Sequence, residues 1–250
     1  ETIKGSGYIP IACSLVEVPH YLFEFAVMNN GTVENHLEVP TLDENGNLRD
    51  DEVSRKWVAA LNDIKALYDL GYFPPNTLTA TDEETVSLFG NGKAAFLVDG
   101  SWQVGHLGER FGDKIENMAV RFVPGKGERK ATEGIGGISM GYFITRKAWK
   151  NPEKRDAAVR FVEMLTSNEI LSTFIRTEVT ALIDGANPVG LNSLEQSAAE
   201  TNAQLTRVSL AVQDAISAEA KSTLFTSIQK VVTGQMTAEK AVATAIQRNE

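Results

Sequence analysis

The sequence predicts an α/β protein. Short apolar runs closed by turn residues alternate with amphipathic stretches of helical period, and the chain ends in helical sequence. The helical stretches also carry start and stop residues at the expected ends.

Tyr8 to Cys13 is apolar and short, the pattern of a buried strand. Pro19 to Asn29 is apolar and aromatic and starts a helix after a loop. Gly31 to Asp51 is polar and rich in Asn and Gly, a loop with an edge hairpin around Asn45-Gly46. From Asp51 to Leu70, Val53, Trp57, Ala60, Leu61, Ile64, Leu67 and Tyr68 recur at three- and four-residue spacing and form one apolar stripe. Gly71 stops that helix and Pro74-Pro75 prevents its resumption. Asp82 to Phe89 reads as a short helix with Asp82 as N-cap, closed by Gly90-Asn91-Gly92. Lys93 to Val98 is a strand leading into Asp99-Gly100-Ser101-Trp102. Met118 to Val123 is another, followed by the turn Pro124 to Gly127. Ile135 to Thr145 is glycine-dotted and extended. Asn151-Pro152-Glu153 supplies an N-cap, a first-turn proline and an acid near the positive helix end, ahead of the stripe Ala157, Ala158, Phe161, Val162 and Leu165. Ser167 to Arg176 forms a second short helix. Leu224, Phe225, Ile228, Val231 and Val232 stripe a helix closed by Gly234, and Thr237 caps the last one.

The chain has 250 residues, 42% of them hydrophobic and 23% charged, enough for a substantial core in one or two domains. Its formal net charge of −9 argues against nucleic acid or anionic lipid as partner, since both need a basic face. The single cysteine, Cys13, cannot form an internal disulfide or a thiolate metal cage, and its apolar setting predicts a buried thiol. No run of about 18 apolar residues marks a membrane span. The opening residues Glu1 to Gly5 carry no leader or lipidation motif.

The search for catalytic chemistry finds little. His20, His36 and His106 lie far apart and fit no metal spacing. There is no nucleophile elbow. Gly90-Asn91-Gly92-Lys93 joins a helix to a strand, the reverse of a phosphate loop. Gly134-Ile135-Gly136-Gly137 runs into an extended segment and lacks dinucleotide spacing. Glu52, Glu83, Glu84 and Glu163 sit on helix surfaces as solvated acids. Glu17 and Asp99 each lie in a loop after a strand, near aromatic residues. A glycosidase needs two such acids, so a carbohydrate-active enzyme stands as the alternative to a binding protein.

Four stretches together resemble family 1 extracellular solute-binding proteins, the group of maltose-binding and related proteins. They are Leu88 to Trp102, Gly136 to Ile144, Asn151 to Val162 and Gly234 to Val242, in that order. Tyr8 to Ala12 and Pro19 to Phe23 add to the resemblance. It implies a type II periplasmic-binding-protein-like fold, here a C-terminal lobe with part of the N-terminal lobe. Residues 1–134 would form the first part of the C-terminal lobe, and 135–187 the crossing strand and return segment of the N-terminal lobe. Residues 188–250 would form the closing helices. Members of that family are longer, so the resemblance makes this chain a truncated piece.

The implied function is capture of a solute, a sugar or oligosaccharide, for an ABC importer, with no catalytic residue, metal or cofactor. Sugars need aromatic platforms and fixed polar groups. The resemblance points to Trp102 as the platform, with Asp99, Gly100 and Ser101 beside it and with Glu17, His20 and Tyr21 from the other strand-end loop. Gly136 and Gly137 allow close backbone approach or a bend. Trp57 and Trp149 are expected to serve packing. The expected partners are the small-molecule ligand and membrane permease subunits, with the protein a monomer located outside the cell, as a surface lipoprotein or in the periplasm.

Overall fold

A computed structural model describes residues 2–137, 141–174 and 190–249. In chain order its elements are α1 (Thr2–Gly5), β1 (Ile9–Ala12), α2 (Pro19–Asn29), α3 (Glu52–Asp69), α4 (Asp82–Gly90), β2 (Ala94–Leu97) and α5 (Trp102–Phe111). A 3-10 turn (Gly112–Asn117), β3 (Glu133–Ile135), α6 (Arg146–Trp149), α7 (Pro152–Leu165), α8 (Asn168–Phe174) and α9 (Ser193–Asn202) follow. The described chain closes with β4 (Arg207–Ser209), a 3-10 turn (Val212–Ala215), α10 (Ala218–Val232) and α11 (Ala238–Ile246). The strand-crossing stretch around Ile138 to Met140 and the end of the helix expected to reach Arg176 lie outside the described residues.

The chain forms two compact units. One comprises Glu1–Gly100, Phe122–Ile135 and Leu205–Glu250; the other comprises Ser101–Arg121 and Gly136–Gln204.

The first unit holds the main core. The α3 stripe works as its spacing predicts, burying Trp57, Ala60, Leu61 and Ile64 against Phe23 and Val27 of α2. Leu224, Ile228, Val231 and Val232 of α10 and Ala241, Val242 and Ala245 of α11 close the other side. Each large aliphatic side chain removed from water in this way stabilises by about 1.5–3 kcal/mol. Phe23 meets Trp57 edge-on with ring centroids 5.4 Å apart, and the Trp57 indole N–H donates to the Glu38 carbonyl at 3.2 Å. Asp51 caps α3 by accepting from the Ser54 amide at 2.8 Å. Gly71, at φ 65°, ends the helix in a conformation that side chains resist. β1 and β2 pair in parallel, Ile9 with Ala94 and Ala12 with Leu97, and the α2–α4 segment makes the crossover that parallel pairing requires. β3 and β4 form a second parallel pair, Glu133 with Arg207 and Ile135 with Ser209. The hairpin expected at Asn45-Gly46 is an antiparallel bridge between Leu42 and Leu48. Its turn is tied by Asp43, whose carboxylate accepts from the amides of Asn45 and Asn47.

Two expectations for the first half of the chain change. The cap of α4 is Thr81, not Asp82. The Thr81 hydroxyl accepts from the Glu84 amide while the Glu84 carboxylate accepts from the Thr81 amide, a reciprocal capping box. Met118 to Val123 is not a strand. The Val120 amide donates to the Ser197 hydroxyl at 3.0 Å and its carbonyl accepts from Thr201 at 3.2 Å. Side chains of α9 thus take the bonds that a neighbouring strand would have made.

In the second unit, α5, the first 3-10 turn and α9 pack together, and Val104 and Leu107 of α5, Ile115 of the turn and Leu194 and Ala198 of α9 are buried. Asn192 and Glu195 form a capping box at the start of α9. Helix α7 starts at Asn151 as predicted, but none of its residues is buried. Phe161 is 56% exposed and Phe143, ahead of it, 90% exposed. Tyr142, Phe143, Ile144, Ala148, Phe161 and Val162 line a shallow groove along this face. Trp149, expected to pack inside, is half exposed. The Arg155 guanidinium lies over its ring at 5.6 Å, a cation–π contact that a surface indole can make. Among the described residues no helix is long and apolar enough to cross a membrane.

Candidate functional site

The parallel register of β1 and β2 brings the loops after Ala12 and Leu97 out side by side at the carboxyl ends of the strands, the edge where α/β sheets take ligands. Three connections fix the loop after β1. The Leu15 amide donates to the Thr77 carbonyl at 2.9 Å, the Thr77 hydroxyl to the Cys13 carbonyl at 2.7 Å, and the Ser14 hydroxyl to the Ala80 carbonyl at 2.7 Å. The Ser14 oxygen also accepts from the Glu17 amide at 3.0 Å. The start of α4 is thereby held against the same edge. Asp99 folds over the end of β2, its carboxylate accepting from the Gly100 amide at 2.6 Å.

The edge is acidic. Burial is the main force raising the Asp82 carboxyl above its ordinary range, with Glu17 and Glu83 adding to it. One Asp82 carboxylate oxygen is buried and makes no hydrogen bond among the described residues. Burial likewise pushes the Cys13 thiol up to about 12, and the charges of Asp82 and Asp99 add to the shift. A thiol held that high is protonated and is no nucleophile at neutral pH. The edge therefore offers carboxylate acceptors for hydroxyl or amine donors. Among the described residues no cluster of three or more His, Cys, Asp or Glu side chains could hold a metal ion.

Asp99, Gly100 and Glu17 belong to this edge, but Glu17 already has a structural task. Its carboxylate accepts from the Asp82 amide at 2.7 Å at the start of α4, where an anion suits the positive helix end. His20 and Tyr21 lie in the first turn of α2. The His20 ring stacks on Phe225 of α10 at 5.3 Å and tilts against Tyr21 at 4.3 Å. Its Nδ1 is buried without a hydrogen-bond partner among the described residues. Burial is the main force lowering its pKa; Lys221 lowers it further, while Glu24 works the other way.

Ser101, Trp102, Gly136 and Gly137 belong to the other unit. Trp102 is the first residue of α5, not part of a loop, and its indole is 52% exposed. Gly137 sits at φ 134°, a backbone angle that favours glycine. Sequence reasoning missed Asp82, which it had assigned to the cap. The T-x-x-E pattern of Thr81 to Glu84 was the available signal, because it moves the cap back one residue and leaves the Asp82 carboxylate free of that role.

Several solved structures share this fold. A chitin oligosaccharide binding protein matches with a TM-score of 0.75 at 22% identity, over 98% of this chain and 60% of its own. The bacterial solute receptor AcbH, described as exclusive for β-D-galactopyranose, matches at 0.72 and 14% identity, over 100% of this chain and 61% of its own. The maltose/maltodextrin-binding domain MalE from Bdellovibrio bacteriovorus, bound to maltotriose, matches at 0.59 and 18% identity, over 97% and 59%. This chain thus spans about 60% of the length of such structures. A search of curated sequences finds no match. The likenesses establish the type II periplasmic-binding-protein fold. The sequence itself matches the family of bacterial extracellular solute-binding proteins over residues 25–188, more than half of the chain. The chain belongs to the bacterial extracellular solute-binding protein family.

Proposed function

We propose that this chain is the greater part of a protein that captures a sugar or oligosaccharide outside the cell and delivers it to an ABC permease. The observation that carries the reading is Trp102. A family member leaves an indole half exposed three residues after Asp99, just beyond the carboxyl end of β2. An exposed ring suits the apolar face of a sugar, and carboxylate acceptors suit its hydroxyl rim. Three of the matched structures are named for chitin oligosaccharide, galactopyranose and maltotriose. In this reading ligand contacts come from Asp99, Gly100, His20 and Tyr21 of the first unit and from Ser101, Trp102, Gly136 and Gly137 of the second, and Asp82 joins them as an acceptor. Glu17 acts at this edge through α4.

The first unit corresponds in this reading to the C-terminal lobe and the second to part of the N-terminal lobe. The rest of the N-terminal lobe would cover the apolar groove along α7, whose Phe143 and Phe161 no described residue buries. The protein works as a monomer, at the cell surface or in the periplasm. In this reading the protein binds and does not catalyse: the one thiol is protonated, and the acids at the strand edge are taken as acceptors and a cap.

The test is a titration of intrinsic tryptophan fluorescence with a panel of mono- and oligosaccharides at millimolar concentration, comparing the chain with Trp102→Ala. A saturable change with at least one sugar, lost in Trp102→Ala, supports the proposal. Silence across the panel refutes it, and a shortened oligosaccharide in the same tubes points to a glycosidase instead.

A further inference from the structure

Between its two units the chain passes at Gly100–Ser101, Arg121–Phe122, Ile135–Gly136 and Gln204–Leu205. On the first-unit side, the last three passages meet in one place. β3 ends at Ile135, β4 begins at Arg207, and the two are paired. Thr132 and Thr206, just ahead of the pair, are joined by their hydroxyls at 2.9 Å and by the Thr206 amide donating to the Thr132 carbonyl at 2.9 Å.

A buried guanidinium grips this ribbon. Arg129 is 4% exposed, yet among the described residues it bonds no carboxylate directly. Its Nε and Nη2 both donate to the Glu133 carbonyl, at 3.1 and 2.7 Å. Its Nη1 donates to the Val123 and Pro124 carbonyls, at 3.2 and 3.0 Å, and to Oδ1 of Asn29 at 2.9 Å. The guanidinium also lies over the Phe25 ring at 5.2 Å. Asn29 completes the tie by donating from Nδ2 to the Pro124 carbonyl at 3.3 Å. Phe25 and Asn29 are both residues of α2.

The same helix holds the far side. Glu24 of α2 is buried, and its carboxylate accepts from the amides of Val212 and Gln213, at 2.7 and 3.0 Å, three residues past β4. His36 sits against it at 3.1 Å. A buried cation and a buried anion thus spend most of their hydrogen bonds on main-chain groups: Arg129 just after the passage at Phe122 and at the start of β3, Glu24 just past the end of β4. Burying either charge is costly. Shape alone would not require it, because an apolar side chain fills space more cheaply.

We infer that Arg129 and Glu24 are positioning residues that pin both crossing strands, and the chain entering at Phe122, to helix α2, so that the β3–β4 ribbon moves with the first unit as one rigid piece. This holds whatever the ligand is, and goes beyond the proposed capture of a sugar.

Hydrogen exchange by mass spectrometry tests it without a ligand. In the unaltered chain the amides of 133–135 and 206–209 should exchange about as slowly as those of α10. Arg129→Lys keeps the charge but loses the fork. Because bonds to a charged donor are strong, it should speed exchange at the ribbon roughly tenfold or more. Exchange in α10 and α11 should change less than about twofold, since local opening leaves the global equilibrium alone. Glu24→Gln should do the same for the 206–213 segment. Asn29→Ala, a milder cut at the shared anchor, should give a smaller effect in the same place and serves if Arg129→Lys does not fold. Uniform acceleration throughout the first unit would overturn the inference, because it marks a residue that supports global stability only. A ribbon that already exchanges about a hundredfold faster than α10 in the unaltered chain would also overturn it.

Discussion

The lone thiol offers a quantitative test of how the strand edge is built. Cys13 lies one residue past β1, 2% exposed, and its pKa stands at about 12 against an ordinary 9.0. Three decades of pKa leave about a thousandth of the ordinary thiolate at any pH below 9. Ellman's reagent at pH 8 should therefore label one thiol at once in guanidinium and, in native buffer, at least about a thousandfold more slowly. The same shift predicts a stability effect of definite sign. The folded state holds the proton more tightly than the unfolded state, so the contribution is complete below pH 9. It falls as pH rises through the window from 9 toward 12. At pH 10 the loss is about 1.4 kcal/mol, the value of one pKa unit. Cys13→Ala lacks this term. Its stability relative to the unaltered chain, from urea unfolding at pH 7 and pH 10, should improve by about that amount at the higher pH. Native labelling as fast as in denaturant, or a gap between the two proteins that does not move with pH, would refute the argument that burial and the neighbouring carboxylates govern this edge.

Three further outcomes follow. Trp57→Ala removes a fully buried indole, its edge contact with Phe23 and its bond to the Glu38 carbonyl, and should cost about 3–5 kcal/mol in urea unfolding. Trp102→Ala removes a half-exposed ring and should shift stability by less than about 1 kcal/mol, while abolishing any sugar-dependent fluorescence change. His20 should titrate below its ordinary 6.5 in an NMR pH series, because burial penalises the imidazolium. Its folded pKa is lowered, so the stability it contributes is complete above pH 6.5 and is lost as pH falls through the folded value. His20→Gln should flatten that part of the stability curve, and a His20 titration above 6.5 would contradict burial as the main force on its ring.

Much of this protein was settled by local sequence. Helix α3 follows from seven apolar residues at helical spacing, the Asp51 cap and the Gly71 stop, because capping and amphipathic burial act within a few residues. The strands at Ile9 and Ala94 and the helices from Pro152, Ala218 and Ala238 were legible for the same reason. The family resemblance rested on such local stretches too. Tertiary structure decided what distant partners control. Met118 to Val123 has strand composition, yet Ser197 and Thr201 of α9 take its backbone bonds. Trp149 looked like a packing residue and instead lies under Arg155 on the surface. Helix α5 escaped notice because Gly105 and Gly108 weaken its pattern; its burial comes from α9, about ninety residues on. The strand-edge site shows the same division. Sequence placed Asp99 and Glu17 in loops after strands, but only the fold committed Glu17 to the Asp82 amide and left an Asp82 oxygen buried beside it. A hydrogen bond across 65 residues leaves no periodicity to read, since its geometry exists only once the parallel pairing of β1 and β2 has brought the two segments together.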